Sequence, residues 1–235
     1  MCGRYAFFAP RALIERAFGL ADAPEVEPRY NIAPTQFVPI VRIERDGRRV
    51  LRMVRWGLVP WWAREESVGN PMINARCESL SRNSAFRDAF EERRCLVPAS
   101  GFYEWARKGG VRIPHYLARS DGEPFALAGL WARWRPRDAD TPPLESCTII
   151  TTQANALVAP IHDRMPVILP AQAYEEWLDP RRRSDAVAHW LRPAEPAGYA
   201  ARIVTRAVND ARSEGADLIE PASPGEPPDL FGDRG

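Results

Sequence analysis

Residues 94–118 read RCLVPASGFYEWARKGGVRIPHYLA, and their pattern is the clearest indication of the fold class. Apolar and aromatic runs at Cys95–Val97, Phe102–Trp105 and Ile113–Ala118 predict three strands. Lys108-Gly109-Gly110 predicts a turn before the third strand, because glycine readily adopts the positive φ angles of tight turns. Three predicted strands therefore follow one another here without an intervening helix.

The rest of the chain adds more strands than helices. Two loops are predicted, over residues 20–35 and over the proline-bearing segment WGLVPWW at 56–62. The further predicted strands are Val38–Arg42, Val50–Trp56, Phe125–Trp134, Cys147–Thr152, Val167–Leu169 and Arg202–Val208. The predicted helices are Pro10–Phe18, which Gly19 would end, and Ser84–Arg94, Ala171–Leu178 and Ser184–Leu191.

The order of these elements favours an α+β protein, because strands outnumber helices and do not alternate with them regularly. The length of 235 residues suits one domain, which we expect to span residues 1–220. The remaining residues, PASPGEPPDLFGDRG at 221–235, are rich in proline and predict a disordered tail.

The composition is that of a globular protein, with 45% hydrophobic and 27% charged residues. No apolar run approaches the ~20 residues that a membrane-spanning helix needs, and the N-terminus does not have the pattern of a signal peptide. We therefore expect a cytoplasmic protein without a membrane partner. The net charge of +1 excludes a globally basic, nucleic-acid-binding composition. However, residues 1–112 carry 19 basic and 13 acidic side chains, whereas residues 113–235 carry 13 and 18.

The four cysteines, Cys2, Cys77, Cys95 and Cys147, form no CxxC pair and no cluster with histidines. This spacing argues against a zinc site and against a disulfide framework, and nothing else in the sequence indicates a metal or a cofactor. Arginine supplies 31 of the 32 basic residues, and Lys108 is the remaining one. An imine with a carbonyl compound would therefore need Lys108 or the α-amine of the chain.

Cys2 follows the initiator methionine, and removal of Met1 would leave it at the N-terminus. Such a cysteine carries a thiol and an α-amine on adjacent carbons. The α-amine has an ordinary pKa of about 7.7–8.0, so part of it is neutral and nucleophilic at physiological pH. It could attack an aldehyde and form an imine, which the thiol would close to a thiazolidine. An N-terminal thiol could equally hydrolyse an amide, and the position alone would also fit an unremarkable second residue.

A series of motifs resembles the SRAP family, the abasic-site processing proteins first described as SOS-response-associated peptidases. In chain order they are MCGRY, YNIAPTQ, RWGLVPWW, NARCES, RCLVPASGFYEW, FALAGLW, CTIITTQANALVAPIHDRMPVIL and EEWL. The resemblance covers roughly residues 2–220. It implies an α+β fold whose mixed, mainly antiparallel, barrel-like β core is flanked by short helices. It also implies a monomeric DNA-damage protein that associates with the nucleoid when it is bound to DNA.

The resemblance implies four catalytic residues. Cys2 is the residue that bonds covalently to the ring-opened aldehyde of an abasic site in single-stranded DNA. Asn74 helps to position the reacting sugar, Glu104 assists proton transfer near the α-amine, and His162 acts as acid or base. A glutamate and a histidine suit this chemistry near neutral pH, although Glu104 could otherwise be a solvent-facing strand residue.

The resemblance also implies the residues that bind DNA. Arginines would hold phosphates and tryptophans would stack on bases, which is what single-strand binding physically requires. At least one of the three candidate tryptophans is expected in the core. The prediction for Trp61 has the weakest support, because the family often has a small residue at that position. The candidates are the arginines Arg4, Arg76 and Arg164 and the tryptophans Trp56, Trp61 and Trp62.

Three functions remain open from the sequence. The first is a covalent crosslink between Cys2 and an abasic site, with a possible lyase activity through β-elimination of the imine and with autoproteolytic removal of Met1. The second is a thiol peptidase or hydrolase with Cys2 as nucleophile and His162 and Glu104 as its partners. The third is a single-strand binding module in which Cys2 has no chemical role.

Overall fold

Strands make up most of the regular structure in the computed structural model, which describes residues 2–136 and 140–222. The strands are β1 Tyr5–Phe7, β2 Arg29–Ile32, β3 Phe37–Ile43, β4 Arg49–Trp56, β5 Asn74–Arg76, β6 Arg94–Ala99, β7 Gly101–Lys108, β8 Val111–Arg119, β9 Phe125–Trp134, β10 Leu144–Gln153, β11 Arg164–Pro166, β12 Ile168–Leu169 and β13 Tyr199–Ile203. The α-helices are α1 Arg11–Phe18, α2 Arg87–Glu92, α3 Tyr174–Leu178 and α4 Ser184–Val187. Short 3₁₀ turns lie at Glu66–Gly69, Cys77–Ser79, Ala171–Ala173, Ala188–Trp190, Arg206–Asn209 and Ala216–Ile219.

Five strands close into a mixed barrel in the order β10-β4-β3-β6-β9, because β9 pairs with β10 again. The β4–β10 pair is parallel and the other pairs of the ring are antiparallel. Closure removes the unpaired edges that an open sheet would leave. Short strands extend β10 and β9 beyond the ring, namely β5 and β11 on β10 and β12 on β9. The expected α+β fold with a mixed, mainly antiparallel barrel and short helices is confirmed.

A second sheet carries the N-terminal strand. Its order is β13-β8-β7-β1-β2, and every pair in it is antiparallel. Tyr5 of β1 is opposite Phe102 of β7 on one side and Ile32 of β2 on the other. The Tyr103 amide donates to the Arg4 carbonyl at 2.9 Å, which continues the ladder toward the start of the chain. Strand β1 is therefore hydrogen-bonded on both sides. The hydrogen bond from Tyr103 also fixes the position of Arg4, the residue just before β1.

Several predicted elements are confirmed and others are wrong in part. Helix α1 ends at Gly19, which has a φ of 63°, as the sequence predicted. The predicted loop over residues 20–35 contains β2, since pairing with β1 makes an extended segment a strand whatever its proline content. The predicted helix Ser84–Arg94 ends at Glu92, and Arg94 begins β6. The predicted strand Arg202–Val208 lies instead at Tyr199–Ile203 and is followed by a 3₁₀ turn.

The predicted tail begins at Pro221, and its first two residues are still paired. Pro221 forms a β-bridge with Val204, and the Ala222 amide donates to the Ile203 carbonyl at 3.0 Å. Residues 223–235 of the predicted tail lie outside the described residues. Within the part of the chain that the structure describes, no helix is long and apolar enough to cross a membrane.

Arg94 joins the short helices to the barrel, although it is a buried charge. Each of its five N–H groups donates to a main-chain carbonyl oxygen, at distances from 2.6 to 2.9 Å. Burial lowers the pKa of this guanidinium, and five hydrogen bonds replace the water that it loses. The planar guanidinium matches these divergent acceptors because its donors are fixed in one fork. The acceptors belong to Phe90, Glu91, Trp177, Asp179 and Arg182.

We expect Arg94→Lys to lower the free energy of unfolding by about 3 kcal/mol, because an ammonium has three donors and leaves buried carbonyls unsatisfied. Urea denaturation of the purified variant measures this change. The matched control is Arg93→Lys, at a position whose ion pair with Glu92 is on the surface. That control should change stability by less than ~0.5 kcal/mol. Equal losses in the two variants would contradict the role of Arg94.

Candidate active site around Cys2

Cys2 lies fully buried between the N-terminal sheet and the barrel. The Arg4 amide forms a hydrogen bond with its sulfur. The Asn74 side chain donates from Nδ2 to the Cys2 carbonyl oxygen at 2.8 Å. Asn74 is the first residue of β5, and it is opposite Ile149 of β10 in the parallel ladder. A barrel strand therefore holds Cys2 from one side while β1 holds it through the chain.

Burial governs the protonation of the Cys2 thiol. It raises the pKa of this thiol well above its usual range, and the negative charge of Glu104 raises it further. The thiol is therefore neutral at physiological pH in this environment.

Glu104 is a buried carboxyl group on β7, with only 2% of its surface exposed. Strand alternation places the flanking aromatics on the other face, where Tyr103 packs against Tyr116 and the indole N–H of Trp105 donates to Asn209. Glu104 is thus not the solvent-facing strand residue that its sequence position also allowed. Burial raises its pKa to about 7. A carboxyl group with this pKa can both accept and donate a proton near neutral pH.

His162 lies in the turn between β10 and β11 and is half-buried. Its Nδ1 accepts a hydrogen bond from the Arg164 amide at 2.9 Å. Burial lowers the pKa of the imidazole. We therefore assign a neutral ring with its proton on Nε2. The Asp163 carboxylate, 2.9 Å from Nδ1 and largely exposed, becomes a hydrogen-bond acceptor only when the ring is protonated.

The four predicted catalytic residues converge on one place in the fold. Asn74 bonds to Cys2, Glu104 acts electrostatically on the Cys2 thiol, and the charge of Asp163, next to His162, acts on Glu104. The Glu104 carboxyl can accept and donate a proton near neutral pH beside this cysteine. Among the described residues, no group of three or more His, Cys, Asp or Glu side chains could hold a metal ion.

Two of the predicted phosphate-binding arginines differ in how far they are already engaged. Arg4 donates from Nη1 to the Asn31 side chain and to the Val208 carbonyl, both at 2.7 Å. Burial lowers the pKa of the Arg4 guanidinium. Arg76 is exposed, and its side chain makes no hydrogen bond within residues 2–136 and 140–222. Arg76 is therefore the arginine of the two that can receive an anion without losing a protein contact.

Arg164, the third predicted phosphate ligand, is held by protein acceptors. Its two terminal nitrogens contact the two carboxylate oxygens of Glu78 at 2.6 and 3.0 Å. Nη2 also donates to the Thr151 carbonyl oxygen at 2.8 Å. An incoming phosphate would have to share or displace these contacts.

The predicted tryptophans divide between the core and the surface. Trp56 is fully buried, its indole N–H donates to the Ile73 carbonyl at 2.9 Å, and its ring packs edge-to-face against Tyr5. The buried ring of Trp56 offers no accessible face to a base in this structure, and the core packing expected of at least one tryptophan falls to it. Trp61 and Trp62 are 67% and 45% exposed, so each has an accessible ring.

Arg55, which is not among the residues predicted from the sequence, organises the segment after β4. Its Nε lies 2.8 Å from the Glu66 carboxylate, and its other nitrogens donate to the Gly57 carbonyl and the Asn70 side chain. Gly57 has a φ of 123°, and a Cβ there would lie 2.7 Å from the Gly69 carbonyl oxygen. An arginine inside the apolar pattern of a strand was the signal for this role. Glu78 was also missed, and its position next to Cys77 in NARCES carried no comparable signal.

The fold and the site define a class of protein, a mixed β-barrel joined to a second sheet that carries a buried, near-N-terminal cysteine. Comparison with known families assigns the class more narrowly. Residues 1–211 match the family described as SOS response associated peptidase (SRAP). The chain therefore belongs to the SRAP family.

Curated relatives match over most of the chain. The abasic site processing protein YoqW of Bacillus subtilis is 40% identical over 94% of this chain and 99% of its own length. The abasic site processing protein YedK of Escherichia coli is 32% identical over 94% and 100%. The abasic site processing protein HMCES of Gallus gallus is 30% identical over 98% and 80%.

Solved structures share the fold. A protein from Bacteroides thetaiotaomicron superposes with a TM-score of 0.85 at 24% identity, over 94% of this chain and all of that one. A protein from Bordetella bronchiseptica has a TM-score of 0.76 at 27% identity, over 87% of this chain and 100% of its own.

Replacing Glu104 by glutamine should change how stability depends on pH. The folded protein holds a proton on this carboxyl up to a pH of about 7, whereas the unfolded chain loses it near its ordinary pKa of 4.5. Wild-type stability should therefore fall, relative to Glu104→Gln, as the pH rises from about 4.5 to about 7. The relative loss should reach up to ~3 kcal/mol above that range.

Urea denaturation of both proteins at several pH values from 4.5 to 8 tests this expectation. Glu92→Gln, at an exposed helix position, controls for the loss of one carboxylate. If the wild type and Glu104→Gln kept a constant difference in stability across the range, the raised pKa of Glu104 would be refuted.

Proposed function

We propose that this protein processes abasic sites in single-stranded DNA by bonding covalently to them through Cys2, once Met1 has been removed. The names of the relatives YoqW, YedK and HMCES support the abasic site as the substrate. The observation that carries the proposal is the buried Glu104 carboxyl, whose pKa is about 7 and whose charge acts on the Cys2 thiol.

The chemistry balances without a cofactor. The Cys2 α-amine adds to the C1 aldehyde of the ring-opened sugar, and a C–N bond forms to give a carbinolamine. Loss of one water gives the imine. The thiol sulfur then adds to the imine carbon, and the S–H proton passes to nitrogen, which closes a five-membered thiazolidine. The product is the sum of protein and DNA less one water.

Each proton transfer has a suitable group nearby. Glu104 can take a proton from the α-ammonium to free the amine, and can return it to the carbinolamine hydroxyl as water leaves. A neutral His162 offers the Nε2 proton to a sugar oxygen as the ring opens. Asn74 fixes the Cys2 carbonyl and so limits rotation of the amine and thiol.

Exposed aromatic and basic residues near the site suit a single strand. The segment that carries Trp61 and Trp62 begins beside the residues that precede Asn74, because the Leu58 amide donates to the Met72 carbonyl oxygen at 3.1 Å. Arg76 lies two residues beyond Asn74 on β5 and is free of protein acceptors among the described residues. We propose that Arg76 holds a phosphate and that Trp61 and Trp62 stack on bases.

The thiol-peptidase alternative has the opposite electrostatic requirement. A cysteine nucleophile in peptide hydrolysis is activated when its surroundings depress the thiol pKa and produce a thiolate. Here burial and Glu104 raise the pKa of Cys2. The site therefore favours amine-first chemistry, in which the thiol acts second and as a neutral group. Release of Met1, and β-elimination of the imine as a lyase, remain reactions that the same proposal allows.

We expect the wild-type protein to form a heat-stable adduct with a single-stranded oligonucleotide that bears one abasic site. Intact mass spectrometry should show loss of Met1 from the protein and an adduct equal to protein plus DNA less one water. Cys2→Ala should form no stable adduct. Cys2→Ser retains the amine and should cleave the strand through the imine without a stable adduct. If the adduct failed to form from a protein with Cys2 verified at its N-terminus, the covalent proposal would fail.

Trp61→Ala should weaken binding of single-stranded DNA by ~1–3 kcal/mol, the range for the loss of one stacked base. Fluorescence anisotropy with an undamaged oligonucleotide measures this effect without the covalent step. Phe37→Ala is the matched control, since Phe37 is a similarly exposed aromatic residue at 55%. The control should bind DNA as the wild type does. Equal weakening in both variants would point to a general loss of apolar surface.

A further inference from the structure

An ion pair crosses the barrel strand that holds the site together. Glu78 and Arg164 contact each other through both carboxylate oxygens and both terminal guanidinium nitrogens. The Arg164 side chain is only 12% exposed, whereas that of Glu78 is 48% exposed, so solvent reaches the pair from the Glu78 side. Arg164 holds the pKa of Glu78 down at about 2, which keeps the pair charged throughout the physiological range.

The strand order shows which elements this ion pair connects. Glu78 lies just after β5, the strand that begins with Asn74, and Arg164 is the first residue of β11. These two strands lie on opposite edges of β10, because Thr151 is opposite Arg76 of β5 and also opposite Pro166 of β11. The ion pair therefore spans β10 and ties together the two short strands on either side of it.

Arg164 also contacts His162 through its main chain. The Arg164 amide donates to Nδ1 of His162 at 2.9 Å, which leaves the imidazole proton on Nε2. The position of the Arg164 backbone thus sets both the tautomer and the orientation of the ring. Whatever anchors the Arg164 side chain restrains that backbone, and Glu78 is its carboxylate anchor.

Most N–H donors of the Arg164 guanidinium are already used within the protein, which leaves few for a phosphate. Nη2 is used by Glu78 and Thr151, Nη1 by Glu78, and Nε is buried without a partner. Only one N–H of Nη1 is left for an outside ligand, and the Glu78 carboxylate neutralises the charge. By contrast, Arg76 is exposed and keeps its donors.

We propose that Glu78 is a positioning residue: by holding Arg164 across β10, it fixes the His162 ring in one tautomer and at a set place relative to Asn74. The inference rests on the proposed function for its kinetic consequence, but its structural consequence is independent of that function. It also reassigns Arg164 from direct phosphate binding to support of His162.

The test is Glu78→Gln, which keeps the shape of the side chain and removes its charge. We expect the rate constant for adduct formation with an abasic-site oligonucleotide to fall about tenfold or more, as a small misplacement of a reacting group would cause. The dissociation constant for an undamaged oligonucleotide should stay within about twofold of wild type. The ¹⁵N spectrum of the three histidines should show His162 as a single Nε2–H tautomer at pH 8 in the wild type and as a mixture in the variant.

Two further variants make the test specific. Glu123→Gln breaks the exposed ion pair with Arg16 and should change none of these properties. The exchanged pair Glu78→Arg with Arg164→Glu keeps an ion pair across β10 and should recover most of the rate and the single tautomer. If Glu78→Gln alone fails to fold, the exchanged pair still tests the proposal through its rate and its histidine tautomer.

The outcomes separate this inference from the proposed function. An unchanged rate and tautomer in Glu78→Gln would overturn it. Tighter DNA binding in Glu78→Gln, or lost DNA binding in the exchanged pair, would also overturn it and return Arg164 to phosphate binding. If the wild type formed no adduct, the proposed function would fail, and the histidine tautomer would still decide the role of Glu78.

Discussion

The arrangement of this molecule depends on β10, which is hydrogen-bonded along both edges. Cys147 is opposite Trp131 of β9 and Trp56 of β4, and farther along, Thr151 is opposite residues of β11 and β5. Full pairing of the backbone closes the barrel and leaves little freedom for the attached short strands. The elements that carry Asn74 and His162 are therefore placed by the ladder of one strand, although they are far apart in the chain. The sheet that contains β1 then brings Cys2 to them.

Exclusion of water sets the chemistry of the site. Burial raises the pKa of the Cys2 thiol and of the Glu104 carboxyl and lowers that of the His162 imidazole. All three shifts favour the neutral form, as transfer of a charge to a low-dielectric environment requires. The Glu104 charge also acts on the Cys2 thiol. A site of this kind suits proton transfer near neutral pH, because the Glu104 carboxyl has a pKa of about 7. The polar contacts of Asn74 then supply orientation without adding charge.

The sequence was a good guide wherever local chemistry decided the outcome. The Phe125–Trp134 strand has the predicted bounds, and α1 ends at Gly19 because glycine adopts the left-handed conformation there at low cost. The sequence pattern predicted the wrong local structure where pairing with a distant strand determined it. Residues 29–32 read as a loop but pair with β1. Arg94 has a helical neighbourhood but begins a strand, because it pairs with Leu130 of β9. Its guanidinium also bonds to carbonyl oxygens of α2, of α3 and of the segment after α3. Periodicity carries no information about such distant acceptors.

For the site, the amino-acid sequence alone predicted the family, the α+β class and the four candidate catalytic residues Cys2, Asn74, Glu104 and His162, because these candidates belong to short motifs. The tertiary structure alone decided which side chains are accessible and which are already engaged. It placed Trp56 in the core, left Trp61 and Trp62 exposed, and bound Arg164 to Glu78. The physical reason is that burial and ion pairing depend on segments that meet only when the barrel closes. A motif specifies the chemistry that a residue can perform, and the packing around it decides whether that chemistry faces a ligand or the protein.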